Sequence, residues 1–185
     1  NTTVDISNWA EDSFRKGLGL KSDWYRFPQF PEYSDPGFWV AKSNGGVLAV
    51  GTAKHFGDAK QADRSGPIVD LAAPAGAEGY WLVSDAGEVF VYGSAVHHGD
   101  LRGQVSATPV VAMTAHPTGN GYWLATADGG VFSFGNAGHH GSMAGIALNK
   151  PVVGMESTRS GNGYWLVASD GGIFSFGDAG FFGST

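Results

Sequence analysis

The chain has 185 residues, of which 42% are hydrophobic and 13% aromatic, with 30 glycines and no cysteine. Its formal net charge of -6 comes without the clustered Lys and Arg that phosphate backbones or anionic lipid require, so nucleic acid is not an expected partner. Disulfides and thiolate metal sites are excluded, and no apolar run reaches the roughly 18 to 20 residues of a membrane-spanning helix.

The start, Asn1-Thr2-Thr3, has no initiator Met. Removal of a secretory leader leaves such an end, as does simple trimming, and the first reading makes the protein extracellular or surface-attached. Residues 1–36 form a non-repetitive arm. Within it, Asn8 is placed to cap a short helix carrying Trp9, Phe14 and Leu18 near one face, while an extended arm pairing Val4 and Ile6 with a sheet edge fits equally well. The arm also gathers aromatics without counterparts elsewhere, Trp9, Trp24, Tyr25, Phe27, Phe30 and Tyr33. They are candidates for a binding patch, or for a plug that covers the edge of the fold.

From Gly37 onward the chain repeats every 42 residues. Gly37, Gly79, Gly121 and Gly163 fall in register, and Trp39, Trp81, Trp123 and Trp165 follow two places later. Self-similarity at one period marks a repeat architecture, here four units at 37–66, 67–108, 109–150 and 151–185. Tyr25-Arg26-Phe27 occupies the place of Pro-Ile-Val or Pro-Val-Val in the other copies and reads as a degenerate first strand.

Each unit is predicted to hold four short strands, which in the fourth copy are 151–156, 163–168, 173–176 and 179–184. In the second of these, alternation puts Tyr164 and Leu166 on one face and Trp165 and Val167 on the other, so both faces are apolar. A strand buried on both sides needs a layer above and below, which stacked blades of a β-propeller supply. The expected fold is therefore all-β, a propeller of four four-stranded blades. Between the second and third strands only Gly45, Gly87, Gly129 and Gly171 are constant, which points to a type I turn closed by a left-handed Gly in a G1 bulge. The Asn and Asp of these turns are turn formers before they are ligands.

The segment Gly163-Tyr164-Trp165-Leu166-Val167-Ala168-Ser169-Asp170-Gly171-Gly172-Ile173-Phe174-Ser175-Phe176-Gly177-Asp178-Ala179 resembles a tandem repeat of secreted and cell-surface proteins of actinobacteria, often appended to cell-wall hydrolases or glycosidases. The resemblance covers residues 37 to 185 and is absent from residues 1 to 24. It implies propeller blades with an adhesive or carbohydrate-binding role, which is a class and not a ligand.

Four blades are enough to close a small ring. If they do not close, two apolar faces remain and would drive assembly of two chains into an eight-bladed ring or of more into a longer array. Five of the six histidines occupy two repeat positions, His55, His97 and His139 at one, His98 and His140 at the next, where the fourth copy has Phe181 and Phe182. A slot that accepts Phe calls first for a flat packing ring or aromatic surface, and second for a pH-sensitive or metal-linked contact between chains; His97, His98, His139 and His140 are the candidate binding residues of these slots. Neighbouring residues of a strand point to opposite faces, so neither pair is expected to chelate a metal. No nucleophile elbow, zinc-protease or phosphate-loop motif is present, and no catalytic residue, metal or cofactor is expected. The acids without counterparts, Asp5, Glu11, Asp12, Glu32, Asp35, Glu88 and Glu156, are where a carboxylate pair would have to be sought. The expected function is non-enzymatic binding, to cell-wall or other glycans or to another protein, with a structural role joining chains as the alternative and a propeller glycoside hydrolase as a third reading.

Overall fold

The computed structural model describes residues 37–74, 76, 78–104 and 108–184. The helix or arm expected before Gly37, the degenerate strand at Tyr25-Arg26-Phe27 and the arm aromatics all lie outside the described residues. Blade one contains β1 (Phe38–Ala41) and β2 (Val47–Val50), and blade two contains β3 (Ile68–Ala72), β4 (Gly79–Ser84) and β5 (Val89–Gly93). Blade three follows with β6 (Val110–Ala115), β7 (Gly121–Thr126) and β8 (Val131–Gly135), and blade four with β9 (Val152–Ser157), β10 (Gly163–Ala168) and β11 (Ile173–Gly177). Each is an antiparallel meander with its middle strand flanked by both neighbours, and blade one is a pair. The fold is a β-propeller of consecutive blades.

The register repeats as the residues do. Tyr80, Tyr122 and Tyr164 lie opposite Tyr92, Phe134 and Phe176, and Trp81, Trp123 and Trp165 lie opposite Val91, Ser133 and Ser175. The first strand of each full blade carries a bulge, at Val69, Val111 and Val153, where one residue has no partner on the middle strand. The turns after the middle strands are closed as expected. Gly45, Gly87, Gly129 and Gly171 have φ of 87°, 78°, 81° and 84°, and no other residue type has positive φ among the described residues. Asn44, Asp128 and Asp170 each accept the backbone N–H two residues on, so these side chains build the turn.

Both faces of β4 and β7 are buried along their whole length. The Trp face of one blade packs on the Tyr face of the next, three times over. Trp39, Ala41 and Val47 meet Tyr80, Leu82 and Phe90; Trp81, Val83 and Val89 meet Tyr122, Leu124 and Phe132; Trp123, Ala125 and Val131 meet Tyr164, Leu166 and Phe174. Removing an aromatic side chain from such a core costs about 3–5 kcal/mol.

One expectation needs correction. The fourth strand of each blade is not a strand: residues 94–100, 136–142 and 178–184 run without ladder pairing. Side chains take the place of the ladder. The indole N–H groups of Trp39, Trp81, Trp123 and Trp165 donate to the carbonyls of Lys54, Val96, Gly138 and Gly180 at 2.7–2.9 Å. From the next blade, the hydroxyl of Tyr122 donates to Gly99 at 2.5 Å and accepts the His98 N–H at 3.3 Å. Tyr80 does the same to Gly57 and Phe56, and Tyr164 to Gly141 and His140. A fourth strand would compete with these rings for the same backbone groups. On closure, which the sequence leaves open, no core among the described residues joins blade four to blade one.

Burial pushes the Tyr122 hydroxyl up to about 12, which keeps it a donor at any ordinary pH. Tyr122→Phe retains the ring and removes both bonds, leaving the Gly99 carbonyl unpaired at the blade two–three boundary. Urea unfolding should report a loss of about 1–3 kcal/mol. An unchanged midpoint would show that the ring alone holds the boundary.

Candidate functional site

The first strands of the full blades lie side by side, with β6 between β3 and β9, and at their C-terminal ends they border a cleft of about 430 Å³. Leu71 comes from β3, Thr114 from β6 with His116 just beyond, and Glu156, Thr158 and Arg159 from β9 and the turn after it. Spacing of 42 aligns Thr114 with Ala72 and Glu156, His116 with Pro74 and Thr158, and Arg159 with Pro117. The cleft is thus lined by positions at which the copies disagree.

Two bridges tie its walls together, and each occurs once. Asp70 Oδ2 accepts the N–H of Met113 at 2.8 Å while Oδ1 accepts that of Leu71 at 2.7 Å, joining β3 to β6. Ser157 donates its hydroxyl to the Ala115 carbonyl at 3.1 Å, joining β9 to β6. Desolvation raises the Asp70 carboxyl above its usual range, against the two N–H bonds that lower it. His116 is held by its own turn. Its Nδ1 lies 2.8 Å from the Thr118 hydroxyl and accepts the Thr118 N–H at 3.2 Å, and the ring rests on Trp123 with centroids 5.4 Å apart. An acceptor role for Nδ1 leaves the proton on Nε2. Glu156 and Arg159 are exposed at the rim. On the β9 side the Thr158 hydroxyl donates to Asp178 at 2.8 Å, and Asp178 also takes Ser160; these two hydroxyls hold the Asp178 carboxyl below its usual range.

The histidine pairs separate, one ring of each facing out and the other in. His97 and His139 are exposed, with His97 Nε2 at 3.5 Å from Asp100. His98 and His140 turn inward, each between the Trp of its own blade and the Tyr of the next. His98 lies 6.2 Å from Trp81 and 5.7 Å from Tyr122, and His140 lies 6.5 Å from Trp123 and 5.7 Å from Tyr164. Phe56 fills the same place between Trp39 and Tyr80. Nε2 of both inward histidines is buried without a hydrogen-bond partner.

Of the other positions singled out by sequence, Glu88 is structural: buried, it accepts the Ser65 N–H and the hydroxyls of Ser65 and Ser84. Of the two unmatched acids among the described residues, Glu156 reaches the cleft and Glu88 does not. The aromatics Trp9, Trp24, Tyr25, Phe27, Phe30 and Tyr33, with Asp5, Glu11, Asp12, Glu32 and Asp35, fall outside the described residues. Sequence reasoning missed Asp70, His116, Ser157 and Arg159. Each departs from its partners at 42-residue spacing, which is the signal that would have found them.

No family model matches this chain, and no curated protein matches it. Among solved structures it is similar to the C-terminal WD40 domain of Sif2, with a TM-score of 0.49 and 16% identity over 78% of this chain and 43% of that one. The chain therefore spans less than half of that WD40 domain's length.

Two outcomes follow from these placements. His98→Phe removes a buried nitrogen that has no partner and installs the ring already used at Phe56, so thermal unfolding should rise, with a gain on the order of 1 kcal/mol. A loss instead would mean that the imidazole nitrogen is satisfied in solution. For Asp70, a folded-state pKa above the unfolded value means its contribution is complete below the unfolded pKa of about 3.9 and is lost as pH rises through the folded value. The stability advantage of the native protein over Asp70→Asn should therefore shrink with rising pH across the carboxylate range; an advantage that grows would reverse the assignment.

Proposed function

We propose that this chain is a non-enzymatic binding module that works outside the cell and holds a hydroxyl-rich ligand, of the cell-wall glycan class, in the cleft between β3, β6 and β9. The observation that carries this reading is where the repeat breaks. The blade cores repeat position by position, whereas the cleft concentrates the residues that do not, and those residues bear hydrogen-bonding groups on a rigid frame. Such a frame loses little freedom on binding.

The chemistry suits a polyol. The Glu156 carboxylate accepts from hydroxyls, the Arg159 guanidinium donates in a fixed fork, and His116 offers Nε2–H. Three hydroxyls nearby are engaged elsewhere, that of Ser157 on the Ala115 carbonyl and those of Thr158 and Ser160 on Asp178. His116 is likewise held by Thr118 and not by a nucleophile. This arrangement favours holding a ligand over transforming it. The likeness of the repeat to those of secreted actinobacterial proteins supports the same setting.

Titration of solubilised cell-wall glycans tests the assignment. Glu156→Gln and Arg159→Ala, both at exposed positions, should each weaken binding by on the order of 10-fold, the worth of a hydrogen bond to a charged group, with unchanged thermal unfolding. Native-like binding by both variants, or no binding by the native chain, would remove the cleft from the proposal.

A further inference from the structure

Among the described residues, the interface that this molecule builds three times internally is half-built on the outer faces of blades one and four. On blade four the Trp face has no partner among the described residues: Trp165, Val167 and Ile173 are only partly buried where Trp123 is fully so, and Phe182 is 90% exposed. On blade one the opposite face is open. Phe38, Val40 and Leu48 are 54%, 42% and 51% exposed, and they stand at the places of Tyr80, Leu82 and Phe90, which pack on the preceding blade.

The aromatic stacking makes the match specific. Each internal boundary holds three rings in order, Trp39–Phe56–Tyr80, Trp81–His98–Tyr122 and Trp123–His140–Tyr164. The next in the series, Trp165 and Phe182, has no third ring among the described residues, and Phe38 stands among them as a third ring without its first two. We propose that a second copy of this chain completes the series, its blade one docking through Phe38, Val40 and Leu48 onto the Trp165, Val167 and Phe182 face of blade four. The partner is a second copy because both halves of one interface, in the register used internally, are displayed by the same chain. The contact is heterologous, head to tail, and each copy keeps one face free for the next.

One difference sets its strength. Phe38 has no hydroxyl, so the Phe182 N–H and Gly183 carbonyl do not receive the bonds that Tyr80, Tyr122 and Tyr164 make to their counterparts. The junction between copies is therefore weaker than those within a chain, and reversible.

Sedimentation velocity of the full chain over a dilution series tests this directly. The mass should rise with concentration above the 19.3 kDa of one chain. Phe182→Asp and Val40→Asp should each stay at one chain when alone, and their mixture should reach twice that mass and stop, because one intact head and one intact tail remain. Phe38→Tyr supplies the missing hydroxyl and should tighten association on the order of 5-fold. Circular dichroism of the Asp variants checks that they fold, and Phe38→Tyr tests the proposal even if they do not. A mass of one chain at every concentration for both native protein and Phe38→Tyr overturns the proposal, as does association indifferent to both Asp substitutions. So does a Phe38→Tyr variant that melts higher without changing mass, since its own chain would then cover the face.

Discussion

The contact on which the rest of the structure depends is a tyrosine hydroxyl reaching across a blade boundary to a backbone that has no strand to pair with. A four-stranded blade satisfies the groups of its outermost segment by a ladder. Here, Tyr80, Tyr122 and Tyr164 and the indole N–H of each Trp do so instead, and the segment is tied at once to its own blade and to the next. Hydrogen bonding within the blade and cohesion between blades are therefore one set of interactions. Burial of polar backbone is tolerated only when partners are present, so the rings that pack the boundary also make that packing permissible.

The same arrangement explains why the slot between Trp and Tyr accepts both His and Phe. The main chain of that residue supplies the N–H taken by the tyrosine, so its side chain is chosen by shape. Imidazole meets the shape requirement but leaves Nε2 buried without a partner at His98 and His140. Stability is distributed unequally among boundaries that look alike in outline. At the inner strands the molecule departs from repetition in another way: Asp70 and Ser157 each staple one pair of neighbouring strands, and the residues beyond them line the cleft. Uniform boundaries hold the blades, and exceptions shape the surface on which a ligand would rest.

Much of this was legible in the amino-acid order. The period of 42, the two-faced apolar middle strands and the left-handed glycines at 45, 87, 129 and 171 are local or periodic features, and each carries its own physical signature. The segment 179–184 shows why legibility stops. Its alternation resembles a strand, but its backbone is claimed by rings distant in sequence, and sequence spacing cannot display that competition. Asp70 was overlooked for a related reason: its role is a bond to Met113, which only the neighbouring blade supplies. His116, the histidine outside the repeat slots, and Arg159, opposite Pro117, were visible as departures, yet nothing in their spacing shows that β6 and β9 bring them to one cleft.

The graded burial of the four equivalent tryptophans has a mechanical consequence. Trp81 and Trp123 are fully enclosed, while Trp39 and Trp165 have a neighbour on one side and an incomplete covering on the other. In a linear stack the free energy is a sum of unit and nearest-neighbour contributions, so blades one and four, each with one boundary among the described residues, open before the central ones. Such a stack frays inward from its outer blades, and the emission of these four indoles would shift in stages, with the outer pair reporting the first opening and the inner pair the collapse of the remaining stack. The molecule thus carries, at one repeated position, its own gauge of how far unfolding has advanced.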